Sequence, residues 1–195
     1  MDLRSFFFKN RSYTPIPIIL GILYYSEPNY PFWLCGFFLI LFGELIRFWA
    51  VRYAGGRTRT KNVGANLLCT SGPYSRTRNP LYIGNLIIYT GVVLFSGGVH
   101  MIQFLILVIV YFTFQYSMII SLEEQRLLKL FGQSYANYKN HVPRIIPLLK
   151  PWTKGSKITP ASISKTLTTE KRTLQNIIIL FCIIIAKPYI PNFTF

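Results

Sequence analysis

The chain has 195 residues, 51% of them hydrophobic and 14% charged, where soluble domains average roughly 25% charged. Twenty-one Lys and Arg stand against six Asp and Glu, a formal net charge of +15 at pH 7. That length allows one compact bundle, and the long apolar runs argue against a soluble nucleic-acid binder despite the basic balance. In chain order, five apolar segments are expected at roughly 13–26, 31–53, 80–97, 99–121 and 174–190. No cleavable secretory signal is expected, because the basic start (Arg4, Lys9, Arg11) leads into a Pro-interrupted stretch without a small-residue cleavage site. The first segment is short and carries Pro15 and Pro17, so it is expected to be tilted or broken. The second is long enough to span, and the third and fourth form a hairpin across a Ser-Gly-Gly turn. The last, around Asn176 to Ala186, either spans or is re-entrant. Residues 150–173, rich in Ser, Thr, Pro and Lys, read as a solvated linker carrying at most a short surface helix. The expected fold is therefore an all-α, multi-pass membrane bundle of about five transmembrane helices. Its organisation is expected as a membrane core over 1–150, followed by a linker and apolar segment over 151–195.

Charge is distributed by side. Residues 1–12 carry three Lys/Arg, residues 47–79 seven and residues 121–175 ten, leaving only Lys187, while the opposite turns SEPNYP and SGGVH carry none. This asymmetry predicts a cytoplasmic N-terminus and a cytoplasmic face for the stretches after the second and fourth segments, attracted to anionic lipid headgroups. Three scattered cysteines (Cys35, Cys69, Cys182) suit neither a disulfide framework nor a zinc site. No metal is expected.

Two polar motifs flank the hairpin: GPYSRTRNPLYIGN (Gly72 to Asn85) and EEQRLLKLFGQSYANYKNHVPRIIP (Glu123 to Pro147). Asn79 before Pro80 reads as a helix start, with Asn capping free N–H groups and Pro fitting the first turn. Arg76 and Arg78 then simply face lipid phosphates. The functional reading is that Tyr74 and Tyr82 line a helix N-terminus suited to a nucleoside and an anionic group, with Gly84 and Asn85 one turn in. In the second motif, Glu123 and Arg126 stand three apart, as an ordinary surface pair would. Phe131-Gly132 reads as a helix end. Glu123 and Glu124, adjacent carboxylates among many basic residues, suggest instead that a cation is bound there. Glu44 inside the second segment is expected either to pair with Arg47 or to line a polar chamber. Neither His100 nor His141 has a partner that would make it a base.

Together the motifs resemble the family of integral-membrane methyltransferases that includes isoprenylcysteine carboxyl methyltransferases and phospholipid N-methyltransferases. The resemblance covers residues 72–147 and extends weakly back through the second apolar segment. It implies S-adenosylmethionine as cofactor, bound on the cytoplasmic side, and methyl transfer to a lipophilic or lipidated acceptor in the membrane. It further implies a cofactor cradle of Asn66, Leu67, Leu68, Cys69, Tyr74, Asn79, Pro80, Leu81 and Tyr82, with Arg59 upstream, and Glu123 on the cationic part of the cofactor. Glu124 and Asn79 are the catalytic candidates, Glu124 as the base that an ammonium acceptor would need. Two departures leave the acceptor open between carboxylate and amine. Arg78-Asn79-Pro80 stands where the prenylcysteine enzymes read Arg-His-Pro, and Ile119 where they place a substrate-binding Arg. The other readings are an NADPH-dependent membrane reductase of the sterol reductase type, with Arg57, Arg59 and Lys61 on the extra phosphate, and a non-enzymatic lipid-binding protein.

Overall fold

The computed structural model describes residues 2–55 and 67–189; Asn66, Arg57, Arg59 and Lys61 lie outside the described residues. These residues form seven α-helices: α1 (Leu3–Asn10), α2 (Ile16–Tyr24), α3 (Phe32–Ala54), α4 (Pro80–Ser96), α5 (Met101–Phe131), α6 (Gln133–His141) and α7 (Ile163–Ala186). Three stretches, Phe32–Ala54, Met101–Phe131 and Ile163–Tyr189, are long and apolar enough to cross a membrane, and the apolar α4 is shorter at 17 residues. The first apolar segment forms one short helix, α2, with Pro15 at its N-cap and Pro17 in its first turn, so the prolines set its start rather than break it. Asp2 caps α1 by accepting from the Arg4 N–H, and a turn over 11–15 separates it from α2. That turn is held from α5, where Gln115 Nε2 donates to Thr14 Oγ1 at 2.9 Å.

The core is aliphatic and aromatic. Ile40, Ile88, Val92, Val93, Phe112 and Ile120 pack at the meeting of α3, α4 and α5. The outward faces are also apolar: Phe38, Phe42 and Leu45 on α3, Ile106 and Val110 on α5, and Ile178 and Ile185 on α7 are each more than half exposed. Such extended apolar surface is what lipid covers.

Two glycine pairs join α3 to α4. A Cβ placed on Gly36 would lie 2.6 Å from the Gly91 carbonyl oxygen, and one on Gly43 would lie 2.8 Å from that of Gly84. The seven-residue spacing on both helices sets the pairs two turns apart in an antiparallel crossing, so the backbones touch where any side chain would hold them apart. Gly84 is therefore a packing residue, although its place in the first motif pointed to the cofactor.

α7 differs from expectation. Ser162 caps it by accepting from the Lys165 N–H, and the helix runs unbroken for 24 residues, about 36 Å, through the stretch read as linker. At one end Ala161 N donates to the Arg52 carbonyl at 2.7 Å. At the other, Lys187 Nζ donates to the Ser26 carbonyl at 3.0 Å. α7 thus runs the height of the bundle alongside α3. The residues before it are not loosely solvated, since Ser156 Oγ donates to the Leu68 carbonyl at 2.8 Å and Ile158 N to Ser71 Oγ at 3.0 Å.

Candidate functional site

Locally, both motifs behave as their turn chemistry dictates. Gly72, at a φ of 59°, opens a 3-10 turn over Gly72–Ser75, and Pro80 starts α4. Gly132, at a φ of 50°, ends α5 after Phe131. Asn79 departs from its expected role. It occupies the N-cap position of α4 but makes no side-chain cap; its Nδ2 donates to the Arg144 carbonyl at 3.0 Å instead. Pro80 already removes one free N–H, and the carbonyl reached from Asn79 ties the first motif to the second.

That tie is extensive. Arg78 N donates to the Pro143 carbonyl, Leu148 N to Arg76 and Trp152 N to Ser75, each at 2.9 Å. Thr77 Oγ1 contacts the carbonyls of Arg144 and Ile145 at 3.1 Å each. Arg76 and Arg78 are therefore protein-bound rather than set on lipid phosphates. Arg76 donates to the Leu148 and Leu149 carbonyls, and Arg78 reaches the Lys139 and Val142 carbonyls. Arg78 also donates to Glu124 Oε1 from Nη2 at 2.8 Å and from Nε at 3.2 Å. Arg144 grips the same carboxylate from the other motif, Nη2 to Oε2 at 2.6 Å. Glu124 is thus clamped between two guanidiniums, and its neighbour Glu123 points elsewhere, accepting from Tyr82 Oη at 3.0 Å.

The second polar cluster lies below, where α3, α4 and α7 meet. Arg47 bonds Asn85 Oδ1 through Nη1 and Glu170 Oε2 through Nη2, the latter at 2.8 Å, and pairs with Glu44 at 3.4 Å across one helical turn. Glu44 therefore makes the expected pair, and Glu170, fully buried, joins it from 123 residues away. Sequence reasoning missed Glu170. The signal was present, because Thr166, Glu170 and Thr173 stand at i, i+4 and i+7, one face of a helix.

Both clusters open into a single cavity of about 1290 Å³, larger than the 300–1,000 Å³ typical of small-molecule sites. Of the expected site residues, Leu67, Leu68, Cys69, Tyr74, Asn79, Pro80, Leu81, Tyr82, Glu123 and Glu124 all line it; Asn66 and Arg59 lie outside the described residues. Ile119 does not: it is buried in the apolar core. Away from the motifs the lining is mixed: Ile19, Ile88, Val92 and Leu180 give it apolar patches, beside Arg47, Glu170, Thr173 and Asn176. Burial holds the Tyr74 and Tyr138 hydroxyls protonated, well above their usual range, and Tyr138 Oη donates to the Tyr74 carbonyl at 2.7 Å. Burial likewise pushes the Cys69 thiol up to about 11, which leaves it a neutral wall residue rather than a nucleophile.

Comparison with known proteins supplies the family. The phospholipid methyltransferase profile matches residues 32–134, a little over half of the chain. The protein-S-isoprenylcysteine O-methyltransferase of Xenopus laevis is 31% identical over 133 residues, 64% of this chain and 42% of that protein. The enzyme of that name from Schizosaccharomyces pombe is 36% identical over 84 residues, 43% of this chain and 34% of its own. The cobalt-zinc-cadmium resistance protein CzcN of Cupriavidus metallidurans is 34% identical over 103 residues, 53% of this chain and 43% of that protein. The chain thus spans less than half the length of each of these relatives. No solved structure matches it. The profile match takes in α3, the first motif, α4 and α5 with its Glu123-Glu124 pair, and on it the chain belongs to the phospholipid methyltransferase family.

Proposed function

We propose that this chain transfers a methyl group from S-adenosylmethionine to a lipophilic acceptor held within the membrane. The observation that carries the reading is a half-buried carboxylate, Glu123, fixed by Tyr82 in the wall of a large cavity that the residues of both motifs line together with apolar side chains of α2, α4 and α7. The donor set fits the cofactor: a carboxylate for its cationic centres, buried tyrosines for its nucleoside, and room for a second molecule beside it. S-adenosylmethionine, when bound, supplies a methyl group already activated on sulfonium. What this chain must add is alignment, exclusion of water and placement of charge. Tyr82 holds Glu123 in one orientation. Leu67, Leu68, Cys69, Tyr74, Pro80 and Leu81 line the same cavity, and Asn79 positions the crossing of the two motifs. Glu124 is engaged by four donor contacts from Arg78 and Arg144, which supports a positioning role for it rather than a proton-accepting one. The apolar patch of Ile19, Ile88, Val92 and Leu180 suits the hydrocarbon part of a lipid-like acceptor. We place the cofactor site on the cytoplasmic face from the asymmetry of Lys and Arg.

Calorimetric titration of the purified chain in detergent tests the reading, with S-adenosylmethionine and NADPH run in parallel. S-adenosylmethionine should bind, and Glu123→Gln should weaken it about ten- to hundredfold, the loss of one charged partner at about 1.5–3 kcal/mol. Binding of NADPH alone, or unchanged affinity in Glu123→Gln, would sink it.

A further inference from the structure

The exit from α6 ends in apolar side chains that the fold holds outward. Ile146 is 80% exposed and Leu149 94%, with Ile145 at 44% beside them, while Leu148 between them turns inward onto the Tyr135, Tyr138 and Trp152 cluster. This is not a loose loop. Arg76 and Thr77 hold the backbone carbonyls of Arg144, Ile145, Leu148 and Leu149, and the Leu148 N–H is bound as well.

Its height relative to the bundle follows from the same contacts. Beyond Glu124, α5 continues to Phe131, about 10 Å further along its axis. α6 then returns over nine residues, about 14 Å, and the Arg144–Glu124 pair at 2.6 Å closes the circuit at the level it left. Residues 145–149 therefore lie beside the residues that immediately precede Pro80, the first residue of α4. That is the level at which the apolar helices begin. Charge favours one occupant for this surface. From Gln125 to Thr169 the chain contains no acidic residue, while Lys139, Lys150 and Lys154 around the tip are exposed.

We propose that Ile145–Leu149 is a rigid interfacial anchor that docks on the anionic bilayer surrounding the protein. Ile146 and Leu149 enter the boundary between headgroups and acyl chains, and Lys139 and Lys150 lie among the phosphates. This rests on the membrane reading of the bundle and not on methyl transfer.

The test uses the full chain in vesicles of phosphatidylcholine and phosphatidylserine. Cys35 and Cys182 are replaced by Ala, and Cys69 is kept, because its buried thiol stays protonated and labels slowly. An environment-sensitive fluorophore is attached in turn to Ile146→Cys, Leu149→Cys and Gln133→Cys, the last at the corner between α5 and α6. Nitroxide groups high on the acyl chains should quench the first two several-fold more than they quench the third, and aqueous iodide should do the reverse. Equal iodide quenching at all three positions would overturn the proposal in favour of a solvated loop. Protection of 146 and 149 from both quenchers would overturn it in favour of a contact with a second copy of the chain.

Discussion

Replacing Glu124 with Gln removes the one negative charge that two guanidiniums share. Arg78 and Glu124 keep only 8% and 7% of their side chains exposed, whereas Arg144 keeps 41%. The three members should therefore contribute unequally. Breaking a buried pair by removing one partner costs about 3–5 kcal/mol, and an exposed pair is worth about 0.2–1 kcal/mol. Glu124→Gln leaves Arg78 charged and buried without a counter-charge, its remaining partners being neutral oxygens such as the Lys139 and Val142 carbonyls, and turns an amide N–H toward one guanidinium. At about 2–4 °C per kcal/mol for a chain of this size, its melting temperature should fall by roughly 6–20 °C. Arg144→Ala should cost no more than about 4 °C by the same arithmetic. Differential scanning fluorimetry of the detergent-solubilised variants, with S-adenosylmethionine binding measured alongside, reads both. An unchanged melting temperature in Glu124→Gln would refute the clamp and return that carboxylate to the chemistry. A fall in Arg144→Ala as large as in Glu124→Gln would refute the partition by burial.

Other outcomes follow from the same contacts. Gly43→Ala should destabilise by about 1–3 kcal/mol through overpacking against the Gly84 carbonyl, read as a fall in melting temperature. Glu170→Gln should loosen α7 from α3, giving faster proteolysis in the stretch over 150–162 than in the parent chain. Cys69, with its thiol pushed up to about 11, should resist iodoacetamide at pH 8; alkylation should rise only as the pH approaches 11 and the thiolate forms, followed by mass spectrometry. Cysteine probes at Asn29 and Val99 should react with an impermeant reagent from outside the cell and one at Lys157 should not, since the turns holding the first two carry no Lys or Arg.

What the sequence made legible was local. Pro80 and Gly132 mark helix ends through their own backbone restrictions, and Pro15 and Pro17 fix the start of α2 for the same reason. The pairing of the two motifs across a hairpin was legible because apolar length fixes how far the chain travels before it returns. The first half of α7 was not, because residues 163–173 are polar and Thr-rich, and the ion pair that holds them against α3 is made with Arg47, 123 positions away. Asn79 misled for a related reason. Its capping propensity is a local preference, and a distant carbonyl outbid the local N–H groups. The adjacent glutamates were recognised as unusual, yet the clamp on Glu124 depends on Arg78 and Arg144, 46 and 20 positions away, and neither spacing marks a partner.

The glycine contacts between α3 and α4 bear on how such a protein diversifies. A Cβ on Gly84 would come within 2.6 Å of Arg47 Cγ, so that glycine decides the path by which Arg47 reaches Asn85 and Glu170. Mutations at Gly36, Gly43, Gly84 or Gly91 disturb the frame before they can alter selectivity. α7 carries no glycine, and its cavity-lining Asn176, Ile177 and Leu180 are set by side chains rather than by touching backbones. Selectivity is therefore free to vary along the α7 wall while α3 and α4 keep their spacing.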